Sequence, residues 1–216
     1  MTETQAIDWE SKYRTSGAPG ERAPGERAPS DRAPLDRAPW ERPAPHPAFL
    51  TWRESGLLAP PARVLIPGAG RSAEPVALAE AGFDVTVVDV APSAVAVQRD
   101  RLSRFGATAR AEVADLFAWA PEAPFDTIYD QTCLCALPPA LWPEYAARLA
   151  GWLRPGGRLF ILFMQTGQAG GPPFDCDLPA MRALFDPVRW DWPETLGPRV
   201  PHPSLRDEQP ALLTRR

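Results

Sequence analysis

Arg63-Val64-Leu65-Ile66-Pro67-Gly68-Ala69-Gly70-Arg71 runs from a β-branched apolar stretch straight into two glycines. Four residues of that kind suit a short, fully buried strand. Glycine at its end lets a ligand approach the backbone. Asp84-Val85-Thr86-Val87-Val88-Asp89 follows as a second strand. Its last acid lies 21 positions beyond Gly68, where it can accept hydrogen bonds from both ribose hydroxyls of a nucleoside. Between them, Ser72 to Ala81 reads as a helix stopped by Gly82, with Pro75 tolerated in its first turn.

The alternation continues outward. Ala91 to Arg104 predicts a helix, Arg110 to Val113 a third strand and Phe125 to Asp130 a fourth. Pro138-Pro139 opens a helix ending near Leu153, and Arg154-Pro155-Gly156-Gly157 turns into a fifth strand, Arg158 to Met164. Leu178 to Phe185 reads as a short helix. Val188–Trp192 and Ala211–Thr214 are weaker strand candidates joined without a long helix, which suggests an antiparallel addition at one edge. Strands alternating with helices imply right-handed crossovers. The expected class is α/β: a doubly wound, mainly parallel seven-stranded sheet with an antiparallel edge strand.

Composition narrows the partners. The chain has 216 residues, a net charge of −4 and 28 prolines. An acidic balance argues against nucleic-acid backbone as the main ligand. No apolar run approaches the roughly 18–20 residues that span a bilayer. The first ten residues show neither a basic nor an apolar leader region, so no secretory signal is expected. Three cysteines cannot close a disulfide framework and suit a reducing cytoplasm. Lys12 is the single lysine, which excludes a Schiff base in the body of the chain and a P-loop.

Proline is concentrated in a five-residue repeat: ERAPG, ERAPS, DRAPL, DRAPW and ERPAP, from Glu21 to Pro45. Each unit pairs one acid with one arginine. Apolar side chains are almost absent before Leu35 and Trp40, so the tract cannot offset its ordering entropy. Residues 16–42 read as a disordered or polyproline-II-like linker, a composition that a partner domain can also read. Residues 1–15 would hold a short helix with Trp9 and Tyr13 on one face. Residues 43–216 would form the main domain, opening with a helix from Pro47 to Gly56.

The third strand ends in Ala114-Asp115-Leu116-Phe117, where an acid and apolar neighbours could frame an adenine. Together with Gly68, Gly70 and Asp89 this describes a nucleoside crevice beyond the carboxyl ends of the strands. The glycine pattern also permits a dinucleotide. Against a dehydrogenase stand the missing Tyr-x-x-x-Lys pair and the absence of a second substrate domain. Cys133 and Cys135 are expected to be small buried hydrophobes. No Cys or His set has metal-ligand spacing, so no metal is expected. His202, between two prolines, is expected at the surface, and Trp190 and Trp192 in the core.

Val64 to Arg71, Asp130-Gln131-Thr132-Cys133-Leu134-Cys135-Ala136-Leu137-Pro138-Pro139 and Gly171-Pro172-Pro173-Phe174 resemble the thiopurine S-methyltransferase superfamily. That group includes bacterial thiol and chalcogen methyltransferases and plant halide/thiol methyltransferases. The resemblance runs from Trp9 to about Phe174, interrupted by the repeat. It implies a Rossmann-like fold of the methyltransferase class and S-adenosyl-L-methionine as cofactor. Trp9 and Trp40 would close a lid at the methionine end of that cofactor. Gly68 and Gly70 would line its methionine portion, Asp89 with Val90 would hold the ribose, and Asp115 with Leu116 the adenine. Asp130 and Gln131 would stand beside the transferring methyl, Asp130 equally as a cap for a neighbouring loop. Gln131 replaces an Arg or Tyr frequent in the group. Tyr13, Trp40 and Phe174 would meet the acceptor. The repeat would expand the lid connection, at roughly one kcal/mol or less of closure entropy.

The implied reaction is methyl transfer to a small soft nucleophile: a thiol or a related sulfur, selenium, tellurium or halide species. Oxygen or nitrogen acceptors on the same fold, or a catalytically degenerate adapter, are the competing readings.

Overall fold

The structure, a computed structural model, describes residues 7–15, 38, 40–202 and 207–216. Of the expected linker, 16–37 and 39 lie outside the described residues. Its last three residues, Trp40 to Arg42, are packed into the domain: Glu41 pairs with Arg71 at 2.6 Å and Arg42 with Glu208 at 2.5 Å.

The sheet grows from β1 (Arg63–Pro67), which pairs in parallel with β2 (Asp84–Asp89) on one side and β4 (Phe125–Asp130) on the other. β3 (Ala109–Val113) extends it beyond β2, and β5 (Leu153–Gln165) beyond β4, both in parallel. β8 (Asp207–Arg215) then runs antiparallel to β5, with the two-residue strands β6 (Trp190–Asp191) and β7 (Val200–Pro201) paired to it. The order is β3-β2-β1-β4-β5-β8-β6 with β7 on β8, eight strands among the described residues instead of seven. The doubly wound, mostly parallel architecture is as expected. The count differs because the late chain splits: prolines 193 and 198 stand between β6 and β7 and interrupt pairing, while β8 is longer than its apolar centre predicts.

Period-two alternation divides the core. Val64, Ile66, Val85, Val87 and Tyr129 face one layer with α2 (Pro47–Glu54), α3 (Glu74–Glu80) and α4 (Pro92–Leu102). Leu65, Val88 and Ile128 face the other, with α6 (Trp142–Trp152) and α7 (Leu178–Leu184). Two helical expectations change. The predicted helix from Pro138 begins as a 3-10 turn, Pro139–Leu141, and becomes α6 only at Trp142. Pro143 lacks the amide that would continue a hydrogen-bond ladder from the earlier residues. A short helix, α5 (Cys133–Ala136), stands ahead of it. Its signal is the acid three residues before: Asp130 Oδ1 accepts from the Cys133 and Leu134 amides at 2.9 and 3.4 Å.

At the N-terminus, α1 (Trp9–Thr15) packs over α4, and Tyr13 shares a small cluster with Ala91, Ala94, Trp9 and Trp40. Trp190 is buried in the core and Trp192 packs against it from beyond β6. His202 is buried, not exposed, on the loop beside β7. No helix of the described residues is long and apolar enough to cross a membrane.

Candidate active site

β1 and β4 are sequence-distant neighbours whose following chains leave in opposite directions. A crevice opens where they part, the place where sheets of this topology bind ligands. It holds a cavity of roughly 530 Å³, a size suited to a nucleoside-sized ligand. Its floor is the chain just past the strands: Gly68 after β1, Asp89 and Val90 at β2, Asp115, Leu116 and Phe117 after β3, Thr132 and Cys133 after β4. Trp9, Lys12, Tyr13 and Trp40 roof it. Cys135, Leu137, Pro138, Met164, Pro172 and Pro173 close the far side.

Asp89 is held from both sides. It is buried, and its two oxygens accept from the Gly70 amide (2.8 Å) and the Ala91 amide (2.9 Å). Burial nevertheless pushes its carboxyl up from the ordinary range, more than those amides hold it down. Each carboxylate oxygen has a second lone pair, so a ligand's hydroxyls can add to these bonds. Gln98, fully buried on α4, fixes the loop from the other side by donating to the carbonyls of Gly70 (2.9 Å) and Ser72 (3.0 Å). Asp115 accepts the Phe117 amide at 2.9 Å, which turns Leu116 into the cavity floor.

The roof is built from edges. Trp40 meets Trp9 and Tyr13 in T-shaped contacts, each with ring centroids 5.9 Å apart. Arg71, tied to Glu41, lies over the Tyr13 ring at 5.3 Å. Such faces attract a cation such as a sulfonium.

Four expected site residues stand outside the lining. Gly70 serves through its amide and by making room for Tyr13. Asp130 points into the α6 side of the core, where Tyr145 donates to it at 2.8 Å, and burial raises it to about 6. Gln131, on the opposite face with Tyr129, lies against α3: with its amide oriented so that nitrogen faces acceptor, it donates to the buried Glu74 carboxylate at 2.7 Å. Phe174 packs its ring against Gly171 and donates its amide to the Cys135 carbonyl at 2.7 Å. Strand alternation was readable at these positions, but the buried Glu74 that captures Gln131 was not. Sequence reasoning missed Lys12, Thr132 and Met164. Phe117, in the stretch expected to frame the adenine, is in the lining, and Met164 lies at the end of a strand whose carboxyl end has to face the crevice.

The family model described as thiopurine S-methyltransferase matches residues 31–197. The chain belongs to the thiopurine S-methyltransferase family. It is 31% identical over 197 residues to a probable thiol methyltransferase 2 of Arabidopsis thaliana, covering 88% of this chain and 76% of that one. Identity to thiocyanate methyltransferase 1 of the same plant is 30%, over 60% of this chain and 58% of the relative. For the thiopurine S-methyltransferase of Legionella pneumophila it is 32%, over 52% of this chain and 58% of that relative. Among solved structures, the 1,6-didemethyltoxoflavin-N1-methyltransferase of Burkholderia thailandensis, with bound S-adenosylhomocysteine, superposes with a TM-score of 0.61 at 25% identity, over 78% and 76% of the chains. A TehB-like S-adenosylmethionine-dependent methyltransferase of Corynebacterium glutamicum gives 0.58 at 20%, over 76% and 86%, a likeness of fold. As a family member the protein is an S-adenosylmethionine-dependent methyltransferase. The cavity fits that cofactor: a buried acid for the sugar, apolar floor for the base and an aromatic roof for the sulfonium.

Proposed function

We propose that the protein transfers a methyl group from S-adenosylmethionine to the sulfur of a small thiol. Asp89 holds the ribose, Val90 and Leu116 flank the adenine, and Gly68 lies along the methionine arm beneath Trp9 and Trp40. The acceptor enters at the end formed by Cys135, Leu137, Met164 and Pro173. Asp130 and Gln131 hold the tip of β4 from its two faces, so that Thr132 and Cys133 keep their place in the floor.

The observation that carries this reading is the lack of a histidine among the described residues that line the cavity. His46 caps α2 by accepting the Ala48 amide at 3.0 Å and meets Glu208 at 3.0 Å, within a buried cluster. His202 lies on the loop beside β7. An acceptor that ionises unaided therefore suits the site. A thiol does, with a pKa of about 8.5, whereas alcohols and most phenols stay protonated. The protein's own cavity thiols do not compete, because burial raises Cys133 and Cys135 well above the ordinary value and keeps them neutral.

When bound, the cofactor supplies a methyl group made electrophilic by its sulfonium. Thiolate and sulfonium neutralise one another as transfer proceeds, and a dry, apolar pocket favours that over separated ions. The residues mainly have to align the two partners, which can supply roughly 7–11 kcal/mol. Aromatic faces of the roof can add about 0.5–2 kcal/mol each towards the cation.

The test is a panel of thiols, phenols and amines supplied with trideuteromethyl S-adenosylmethionine, read by mass spectrometry of the products. Labelled thioethers should dominate. Preferential labelling of phenols or amines overturns the reading.

A further inference from the structure

We infer that Glu10 is the positioning residue that latches the aromatic roof over the cofactor cavity. α4 opens with Pro92, which has no amide hydrogen, and is preceded by Ala91, whose side chain makes no cap bond. The first amide in need of an acceptor is that of Ser93. Its acceptor comes from a distant part of the chain: Glu10 Oε2 takes both the Ser93 amide (3.0 Å) and the Ser93 hydroxyl (2.9 Å). A carboxylate is the favoured group at that end of a helix.

Glu10 directly follows Trp9 on α1, and Tyr13 stands three residues further on. The bond that completes α4 is thus the bond that fastens two of the three roof rings. It is also next to the cofactor loop, since α4 follows Asp89, Val90 and Ala91. The other charges around Glu10 leave the arrangement balanced but breakable. Arg14 Nε lies 3.9 Å from Oε1 on the same helix, and Asp89 is a like charge close enough to be raised by Glu10. Trp9, Tyr13 and Trp40 roof the cavity, so breaking this bond loosens the side of the cavity that they cover.

The experiment follows S-adenosylhomocysteine dissociation by stopped-flow tryptophan fluorescence. Glu10→Ala should raise the dissociation rate by roughly tenfold, the low end for hydrogen bonds to a charged group because the site is only part-buried. Ser93→Ala keeps the amide bond and should raise it less. The double variant should dissociate no faster than Glu10→Ala alone, since both changes remove one latch. Hydrogen exchange of residues 9–15 should accelerate in Glu10→Ala, with the denaturation midpoint of the domain unchanged. An unchanged dissociation rate in Glu10→Ala, or rate increases that multiply in the double variant, would overturn the assignment.

Discussion

Replacing Gly70 with alanine should open the roof, and Tyr13 should be the reason. Gly70 has φ +53°, and a methyl group there would stand 2.1 Å from the Tyr13 hydroxyl oxygen and 3.0 Å from its Cζ. Ordinary contact starts at 3.4 Å, so the hydroxyl has to retreat by more than one ångström. Tyr13 cannot do that alone, because its ring is held edge-on by Trp40 at 5.9 Å. Losing an aromatic edge contact costs about 0.5–1.5 kcal/mol. Alanine in the left-handed region costs about 1–2 kcal/mol more, which the loop sheds by leaving the binding geometry. The sum, about 1.5–3.5 kcal/mol, predicts cofactor binding weakened by roughly ten- to four-hundredfold. Adding Tyr13→Phe removes the nearest atom and leaves Cζ, which needs to give by only a few tenths of an ångström. The double variant should recover roughly two- to tenfold of the loss, keeping the backbone strain. Calorimetric titration of S-adenosylhomocysteine into wild type, Gly70→Ala, Tyr13→Phe and the double variant decides it. Native affinity in Gly70→Ala, or a double variant no better than the single, refutes the steric reasoning.

Two further perturbations test how the site is supported. Asp130 is raised by burial from 3.8 to about 6, so the native state holds its proton more tightly than the unfolded chain. The stability this contributes is complete below the unfolded value and is lost as pH rises towards 6, a decline of about 3 kcal/mol. Asp130→Asn should lack that decline in urea melts between pH 4 and 6, and should retain methyl transfer because the carboxyl lies outside the cavity lining. Arg42→Met leaves the buried Glu208 with His46 as its remaining partner and should cost about 3–5 kcal/mol in urea melts. Glu208 is lowered in spite of burial because His46 and Arg42 outweigh it, so its contribution is present above the ordinary carboxylate range and disappears on acidification. Acid unfolding of Arg42→Met should therefore begin at higher pH than in wild type.

Local chemistry was legible in the chain where partners are close in sequence. The β-branched strands, the glycine loop and the acid ending β2 declare the sheet and its crevice, because period-two burial and left-handed turns are properties of short segments. β6, β7 and the full length of β8 were less legible, since β8 holds polar residues such as Glu208 and Gln209 in buried positions. Glu208 is there because Arg42 and His46, more than 160 residues earlier, meet it. The same holds at the site. Gln131, one residue past β4, was expected beside the methyl group by resemblance, yet its amide follows a carboxylate on α3. His202, flanked by prolines, looked like a surface residue and is buried where β7 pairs with β8.

The account rests on Asp89 recognising the sugar of the cofactor. Titrating wild type and Asp89→Asn with S-adenosylhomocysteine, and with its analogue lacking both ribose hydroxyls, tests this most directly. Wild type should prefer the hydroxylated ligand by at least about tenfold, and Asp89→Asn should lose most of that preference. The same preference in both proteins contradicts it.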